Sequence, residues 1–233
     1  MFRNSKYIKK RTKIPTKPLK KLLSYLWPQT SKISSEHSGT LEVTWYNGKK
    51  LLDTQNANYS YGLLQKVLEF GLSKVSLAHA NSVLVLGLGG GSVVHSLRNK
   101  LNYHKQIDAV EWDEKIITIA KNEFEIFNSD KLKIYHEDAL EFVKNCISTY
   151  DLIVVDLFID TEVPEQFLTT DFCEKLLQLT TGSILFNLGI HLLEDHPAHH
   201  VTSFFKHHPE AHLTVLDHVQ GKNTLLLIKK GHS

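Results

Sequence analysis

The feature that most constrains the fold is an apolar run that leads directly into a glycine-rich loop. Residues 82–86 read Ser-Val-Leu-Val-Leu, and glycines stand at positions 87, 89, 90 and 91. A strand that is buried on both faces of a parallel sheet has such a continuous run of Val and Leu. Glycines after it allow a sharp turn and a close approach to a ligand, and the next helix begins with unpaired N–H groups. The run therefore predicts a strand, a turn and a helix at the nucleoside-binding edge of an α/β sheet.

The spacing of the glycines narrows the choice of ligand. Gly87, Gly89 and Gly91 are spaced G-x-G-x-G. The dinucleotide fingerprint G-x-G-x-x-G requires a glycine at the position occupied by Ser92. The loop therefore favours a ligand of the S-adenosylmethionine type over NAD. A tight turn that binds no ligand is the alternative interpretation of the glycines alone.

A second predicted strand, residues 106–111, ends in a carboxylate. Glu111 lies 20 residues after Gly91, the offset at which an acidic residue accepts the hydroxyls of a ribose. Trp112 follows and is placed to lie against a purine ring. A solvated glutamate at a strand end and a tryptophan of the core or surface are the structural alternatives.

Two further predicted strands also end near acidic residues. Residues 131–135 are followed by Asp138, which could cap the next helix or accept a hydrogen bond from an adenine amino group. Residues 150–156 form a fourth strand that ends in Asp156. Ligands of open α/β sheets bind outside the carboxyl ends of the strands. Four residues are therefore expected to converge on one edge: Gly87, Glu111, Asp138 and Asp156.

The C-terminal part of the chain completes the predicted sheet. Residues 183–188 form a fifth strand after a helix near residues 171–179. Residues 212–217 and 224–229 are joined by so short a turn that they must form an antiparallel hairpin. Seven strands closed by such a hairpin predict an α/β fold, a doubly wound Rossmann-like sheet of the class I methyltransferase type.

The N-terminal third carries two different signals. Residues 40–53 alternate around Asn47-Gly48, the strongest short hairpin signal, and predict a small β-element. Ten of the chain's 27 Lys and Arg residues fall within residues 1–32, which contain no Asp or Glu. We interpret this basic segment as solvated, in preference to a contact with nucleic acid or an anionic membrane. The apolar residues between Leu19 and Trp27 predict a short amphipathic segment that docks on the body.

These signals divide the 233 residues into three segments. Residues 1–39 are predicted to be basic and partly disordered, residues 40–78 to form the hairpin and a helix, and residues 79–233 to form the S-adenosylmethionine-type domain. The chain has no stretch of about 20 apolar residues, so no membrane span is expected. The two cysteines lack the spacing of a disulfide framework or zinc site, which suggests the reducing cytoplasm.

Histidines crowd the region near residue 200, but we expect no metal. His196 and either His199 or His200 have helical spacing that could hold one. A third, acidic ligand is not clearly placed. Exposed histidines are therefore the preferred interpretation.

Taken together, the motifs resemble the spermidine synthase family of aminopropyltransferases over roughly residues 40–228. The resemblance rests on the hairpin ending in Leu-Leu-Asp at 51–53, the Tyr-bearing segment 57–62, the glycine loop, and the segments 110–113, 137–139, 150–156 and 163–172. It implies polyamine biosynthesis, by aminopropyl transfer from decarboxylated S-adenosylmethionine to a polyamine. It also suggests a homodimer formed through the N-terminal β-element.

The resemblance assigns roles to individual residues. Asp156 would be the general base, with Tyr61 as the second catalytic residue. Asp160, Glu162 and Glu165 are expected to bind the substrate amine, in compensation for amine-binding carboxylates of the family that this chain lacks. The cofactor-binding residues would be Gln55, Gly87, Gly89, Gly91, Glu111, Trp112, Asp138 and Ala139.

Three departures from the family pattern leave alternatives open. The family's glycine loop carries an aspartate where this chain has Gly90, and its second aspartate after the fourth strand is replaced by Ile159. Near the tyrosine, the chain has Gly62 in place of His or Gln. The first alternative is methyl transfer from intact S-adenosylmethionine to an unknown small acceptor. An aspartate at position 90 would repel the methionine carboxylate, and this chain has glycine there. The second is a nucleoside-binding protein without chemistry.

Overall fold

The computed structural model of the chain describes residues 16–54, 58–60, 62–159, 161–190 and 197–231. Gln55, Tyr61 and Asp160, three of the predicted site residues, lie outside the described residues, as does His196. Along the described chain the elements are α1 (Thr16–Leu23), β1 (Gln29–Ser35), β2 (Gly39–Tyr46), β3 (Lys49–Thr54), β4 (Asn58–Ser60), α2 (Gly62–Leu72), β5 (Ser82–Leu86), α3 (Ser92–Asn99), β6 (Gln106–Glu111), α4 (Glu114–Phe124), β7 (Leu132–His136), α5 (Ala139–Asn145), β8 (Tyr150–Val155), α6 (Thr170–Leu179), β9 (Thr180–Gly189), α7 (Ala198–His207), β10 (Ala211–Val219) and β11 (Asn223–Lys230).

The main sheet has seven strands in the order β10-β11-β9-β8-β5-β6-β7. Strands β7, β6, β5, β8 and β9 are parallel, whereas β11 is antiparallel to both β9 and β10. The predicted α/β fold and its closing antiparallel hairpin are confirmed. Strand β5 lies at the point where the chain order reverses, between β8 and β6, and ligands of such sheets bind at this point.

The core explains why the central strands are so apolar. The side chains of residues 83–86 in β5 are fully buried, as are those of residues 152–155 in β8. Helices cover both faces of the sheet. Apolar residues of α5, α6 and α7 pack on one face, and residues of α2 and α3 pack on the other. None of the described helices is long and apolar enough to cross a bilayer.

A second, antiparallel sheet has the order β1-β2-β3-β4. The predicted hairpin is β2–β3, and its turn residues Asn47 and Gly48 both have positive φ angles, 48° and 74°, as a tight two-residue hairpin requires. The sheet begins earlier than predicted, because β1 pairs with β2 from Gln29 to Ser35. This strand lies within the segment expected to be partly disordered. The other predicted segment boundaries remain predictions.

The small sheet packs on α4 of the same chain. Leu41, Val43 and Leu52 of the sheet form a buried cluster with Ile116 and Ile119 of the helix. Because α4 directly follows β6, this packing brings the β1–β2 turn close to the carboxyl end of β6. The small sheet is thereby placed beside the edge where the predicted site residues lie.

Candidate functional site

Two glycines of the loop between β5 and α3 stand at positions where a larger residue would not fit. Gly87 has φ of +92°, and a Cβ there would collide with the backbone carbonyl oxygen of Asp156. Gly91, at the start of α3, has φ of +86°, and its Cβ would lie 2.5 Å from Cγ1 of Ile126. Both positions combine the left-handed region with close packing, which requires glycine. These two glycines therefore have structural roles. Gly87 allows the loop to pack against the backbone at the end of β8, and Gly91 allows it to pack against Ile126.

Glu111, the last residue of β6, is 3% exposed. Its Oε2 accepts a hydrogen bond from the Gly89 N–H at 3.0 Å, and its Oε1 accepts one from the Asp113 N–H at 3.2 Å. Burial raises the pKa of this carboxyl to about 7, although the backbone hydrogen bonds act in the opposite direction. Each carboxylate oxygen has a second lone pair, so Glu111 can fix the glycine loop and still accept a ligand hydroxyl.

The β1–β2 turn is bound to the residues that follow Glu111. The Ser35 and Ser38 hydroxyls donate to Oδ2 of Asp113, at 2.5 and 2.6 Å. Asp113 also caps α4 by accepting from the Lys115 N–H at 2.8 Å. Burial alone would raise the pKa of Asp113, but the hydrogen bonds hold it below its usual value.

The same turn brings a histidine onto the predicted purine-binding tryptophan. The His37 ring lies 4.5 Å from the Trp112 ring, centroid to centroid. Nε2 of His136, at the end of β7, lies 3.0 Å from the Trp112 backbone oxygen. The sequence reasoning missed both histidines. No sequence signal identifies His37, because its position depends on how the small sheet packs against α4.

Asp138 caps α5, which is one of the two roles that the sequence left open for it. Its Oδ1 accepts hydrogen bonds from the Leu140 and Glu141 N–H groups, at 2.8 and 3.2 Å. Ala139 is buried at the start of this helix. Capping occupies one carboxylate oxygen, so the second oxygen could still accept a hydrogen bond from a ligand.

Asp156 follows β8 and is partly buried. Its Oδ1 accepts a hydrogen bond from Nδ2 of Asn187 at 2.9 Å. The side-chain oxygen Oδ1 of Asn187 accepts from the Gly189 N–H at 3.0 Å, which fixes the orientation of the side-chain amide. Burial raises the pKa of Asp156 to about 6, and the Asn187 hydrogen bond offsets part of this rise. Asn187, fully buried on β9, was also missed from the sequence because it lies 31 residues from Asp156.

A pocket of about 490 Å³, counting its open mouth, lies along the carboxyl ends of these strands. The described residues that line it are Gly87, Val110, Glu111, Trp112, Glu137, Asp138, Ala139, Asp156, Leu157, Phe158, Ile159, Pro164, Gln166 and Phe167.

The pocket brings together most of the described residues that were predicted to bind the cofactor. Gly87, Glu111, Trp112, Asp138 and Ala139 line it beside Asp156, whereas Gly89 and Gly91 do not. The predicted amine ligands Glu162 and Glu165 are exposed and lie outside its lining. Gln166 and Phe167, next to Glu165 in a single 3₁₀ turn, line the pocket instead.

The pocket lining combines acidic and apolar residues. Its charged residues are four carboxylates: Glu111, Glu137, Asp138 and Asp156. The described lining contains no Lys, Arg or His. The apolar lining includes the residues that follow β8, 157–159, together with Pro164 and Phe167. Carboxylates that line a cleft favour cationic ligands over anionic ones.

Several histidines lie in and around α7, the region where helical spacing left a metal site as an alternative. Among the described residues, no group of three or more His, Cys, Asp or Glu side chains could hold a metal ion. His208 pairs with Glu174, with 3.3 Å between Nε2 and Oε2. The histidines near residue 200 therefore provide no ligand cluster within the described chain.

The family model of the spermine/spermidine synthase domain matches residues 67–207. The chain belongs to this family. The matched range runs from α2 to α7 and includes the glycine loop, Glu111, Asp138 and Asp156, but not Gln55 or Tyr61.

Curated relatives match a shorter part of the chain. The chain is 41% identical over 78 residues to a polyamine aminopropyltransferase of Streptococcus uberis, which covers 32% of this chain and 27% of the relative. It is 32% identical over 104 residues to that of Vibrio vulnificus, which covers 43% and 34%. The matches thus span about a third of the relatives' length.

Solved structures share the fold. Human methyltransferase-like protein 13 in complex with SAH is 24% identical, with a TM-score of 0.61, and the match covers 74% of this chain and 83% of that one. A probable spermidine synthase from Corynebacterium glutamicum is 15% identical, with a TM-score of 0.60 and coverage of 88% and 77%. At these identities, the similarity establishes the class I methyltransferase-type fold alone.

Proposed function

We propose that the chain transfers an aminopropyl group from decarboxylated S-adenosylmethionine to a nitrogen of a polyamine. One observation carries the proposal: four carboxylates line the pocket, and its described lining has no cationic side chain. Decarboxylated S-adenosylmethionine carries a sulfonium and an ammonium group, and a polyamine carries two or more ammonium groups. Intact S-adenosylmethionine adds a carboxylate, which an acidic pocket would repel. The names of the curated relatives support the same reaction.

The pocket residues suggest how the donor would be held. Glu111 accepts the ribose hydroxyls through its remaining lone pairs, since it already fixes the glycine loop. The adenine ring lies between Trp112 and the apolar side chains after β8, and its amino group donates to Asp138. These roles use the groups that line the pocket.

Asp156 is the proposed general base. A polyamine nitrogen must lose a proton before its lone pair can attack carbon, and a nearby carboxylate can accept that proton. As the new C–N bond forms, the C–S bond breaks, and its electron pair remains on the sulfur of the departing methylthioadenosine. Because burial raises the pKa of Asp156 to about 6, this carboxylate is a stronger base than a solvent-exposed aspartate, yet it is mostly ionised at neutral pH.

Methyl transfer from intact S-adenosylmethionine is the second candidate. Gly90 favours it, because the glycine loop then presents no carboxylate side chain to the methionine part of the ligand. The loop leads into the N-terminus of α3 at Ser92, and helix N-termini favour anions. The human neighbour's complex with SAH is consistent with this chemistry. The four pocket carboxylates make it the less favoured candidate.

Calorimetry and turnover together test the proposal. We expect decarboxylated S-adenosylmethionine to bind at least about tenfold more tightly than the intact form, the factor that about 1.4 kcal/mol of charge repulsion produces. Turnover with a diamine should be lost in Asp156→Asn and kept in Asp130→Asn. Asp130 is exposed and precedes β7, so it lies at the opposite edge of the sheet.

Each alternative predicts a different result. Tighter binding of intact S-adenosylmethionine would overturn the proposal in favour of methyl transfer. Binding of both forms without turnover, across a panel of diamines and longer polyamines, would favour a nucleoside-binding protein without chemistry. Turnover that survives Asp156→Asn would refute the assignment of the base.

A further inference from the structure

Helix α1 is attached to the small sheet through its polar side. Nζ of Lys20 donates to the Ser31 hydroxyl at 2.9 Å. Ser24, just after the helix, is 1% exposed. Its hydroxyl accepts from the Gly48 N–H at 2.9 Å, and its carbonyl oxygen accepts from the Asn47 N–H at 3.0 Å. The segment is therefore held in place by hydrogen bonds to β1 and to the β2–β3 turn.

The apolar side of the same segment faces solvent. Leu19, Leu22 and Leu26 are 51, 68 and 73% exposed. Hydrogen bonds from the Leu26 and Trp27 N–H groups to the Leu23 carbonyl continue the turn beyond the helix, so the three leucines share one side at helical spacing. Tyr25 and Trp27, each 61% exposed, flank them. We define the α1 face as Leu19, Leu22, Tyr25, Leu26 and Trp27.

This orientation is the reverse of what an amphipathic helix on a globular protein usually shows. Such a helix turns its apolar side to the core and its polar side to water. The sequence predicted docking on the body, and α1 does dock, but with Lys20 and Ser24 inward. A continuous exposed patch of large apolar side chains marks an interaction surface.

The amino-acid sequence that contains the α1 face is basic, which indicates the kind of partner. Residues 1–32 contain ten Lys and Arg residues and no Asp or Glu. Lys21 lies within α1 itself and is exposed. From the sequence alone this basic segment was interpreted as solvated, but the exposed leucines beside it indicate a partner that offers both an apolar layer and negative charge. The headgroup region of a membrane with anionic lipids offers both.

We propose that the α1 face lies on the surface of a membrane that contains anionic lipids. The leucines would enter the boundary between headgroups and acyl chains, with Tyr25 and Trp27 at the headgroup level. The neighbouring Lys and Arg residues would meet lipid phosphates. With eight residues, α1 lies along such a surface and does not cross it.

Two other partners fit the observations less well. Nucleic acid would satisfy the basic residues and could stack on Tyr25 or Trp27, but it offers no apolar layer for three exposed leucines. A second copy of this chain would bury the leucines, but a symmetric contact would bring two basic segments together. The combination of leucines and positive charge therefore favours a lipid surface.

Vesicle co-sedimentation of the full chain tests the proposal. Vesicles of phosphatidylcholine with about a third phosphatidylserine should bind the protein at least about tenfold more tightly than phosphatidylcholine alone, and added salt should weaken this binding. The double variant Leu22→Asp/Leu26→Asp should lose at least about tenfold in affinity. The matched control is Ile147→Asp, which alters an exposed apolar residue in the α5–β8 loop and should bind like the unmodified chain.

Several results would overturn the proposal. One is equal binding to both kinds of vesicle, and another is unchanged binding of the leucine double variant. Binding of an oligonucleotide without binding of vesicles would favour nucleic acid. A dimer in analytical ultracentrifugation that the double variant dissociates, with no vesicle binding, would favour a second copy. Circular dichroism of each variant checks that a loss of binding is not a loss of folding.

Discussion

Replacing Asp156 with asparagine should make the protein more stable while it removes activity. The folded structure places this carboxyl where burial raises its pKa from 3.8 to about 6. Asparagine has nearly the same shape and carries no charge. Its carbonyl oxygen can still accept the hydrogen bond that Asn187 donates at 2.9 Å. The variant therefore removes a buried charge and keeps its hydrogen-bond partner.

The magnitude follows from the difference between the two pKa values. A rise of about two pKa units corresponds to about 3 kcal/mol at neutral pH, and partial exposure of Asp156 reduces this to about 2 kcal/mol. The folded state binds the extra proton between pH 4 and pH 6, so the unmodified chain loses stability as the pH rises through that window. The asparagine variant has no such dependence. Its advantage should appear above pH 6 and vanish below pH 4.

Chemical denaturation at pH 3.5, 5 and 7.5 measures this directly. At pH 7.5 the variant's free energy of unfolding should exceed that of the unmodified chain by about 2 kcal/mol, which is roughly 4–8 °C in Tm for a domain of this size. At pH 3.5 the two should agree. A variant that is less stable at pH 7.5, or equally stabilised at every pH, would refute the reasoning, because Asp156 would then contribute through structural contacts and not as a strained ionised group.

Three further predictions concern the same pocket. The kcat/KM of the proposed transfer should fall below about pH 6, as Asp156 becomes protonated; a pH profile that is flat from 5 to 8 would contradict this. His37→Ala should weaken methylthioadenosine binding roughly two- to tenfold in calorimetry, since an aromatic pair contributes about 0.5–1.5 kcal/mol; an unchanged Kd would show that Trp112 needs no support. Gly87→Ala should lower the free energy of unfolding by at least about 2 kcal/mol, whereas Gly39→Ala, which has positive φ but no atom within 4 Å of the added Cβ, should cost about 1 kcal/mol; equal losses would mean that the Asp156 carbonyl does not constrain the loop.

The sequence predicted the main sheet well because its central strands are buried on both faces. In β5 and β8, short continuous runs of Val, Leu and Ile predict buried strands. The carboxyl ends of parallel strands meet at one edge of a sheet. The sequence alone therefore places four residues on that edge: Gly87, Glu111, Asp138 and Asp156. The structure brings these four residues to one pocket. Their roles in binding and catalysis stay predictions.

The sequence predicted the small sheet and the second layer of the site less completely. Strand β1 reads Gln-Thr-Ser-Lys-Ile-Ser-Ser and contains one large apolar residue. It lies at the edge of the small sheet, where most of its side chains are exposed or partly buried, so its sequence needs no apolar pattern. Asn187 and His37 reach the site through pairing and packing between distant segments. Glu162 and Glu165 were expected to compensate for carboxylates that the chain lacks, yet both are exposed and lie outside the pocket lining, which contains Gln166 and Phe167.

A chain of hydrogen bonds connects the small sheet to the glycine loop. Ser35 and Ser38 bind the Asp113 carboxylate, the Asp113 N–H binds Glu111, and Glu111 binds the Gly89 N–H. Glu111 is the central link, and burial raises its pKa to about 7. The small sheet packs on α4, the helix that follows Glu111 in the chain. Glu111 is a buried acidic residue that accepts from two backbone N–H groups and lines a pocket. Buried carboxyl groups with a raised pKa in a cleft are typical of binding sites. The small sheet is thereby connected, through Asp113 and Glu111, to the glycine loop beside the pocket.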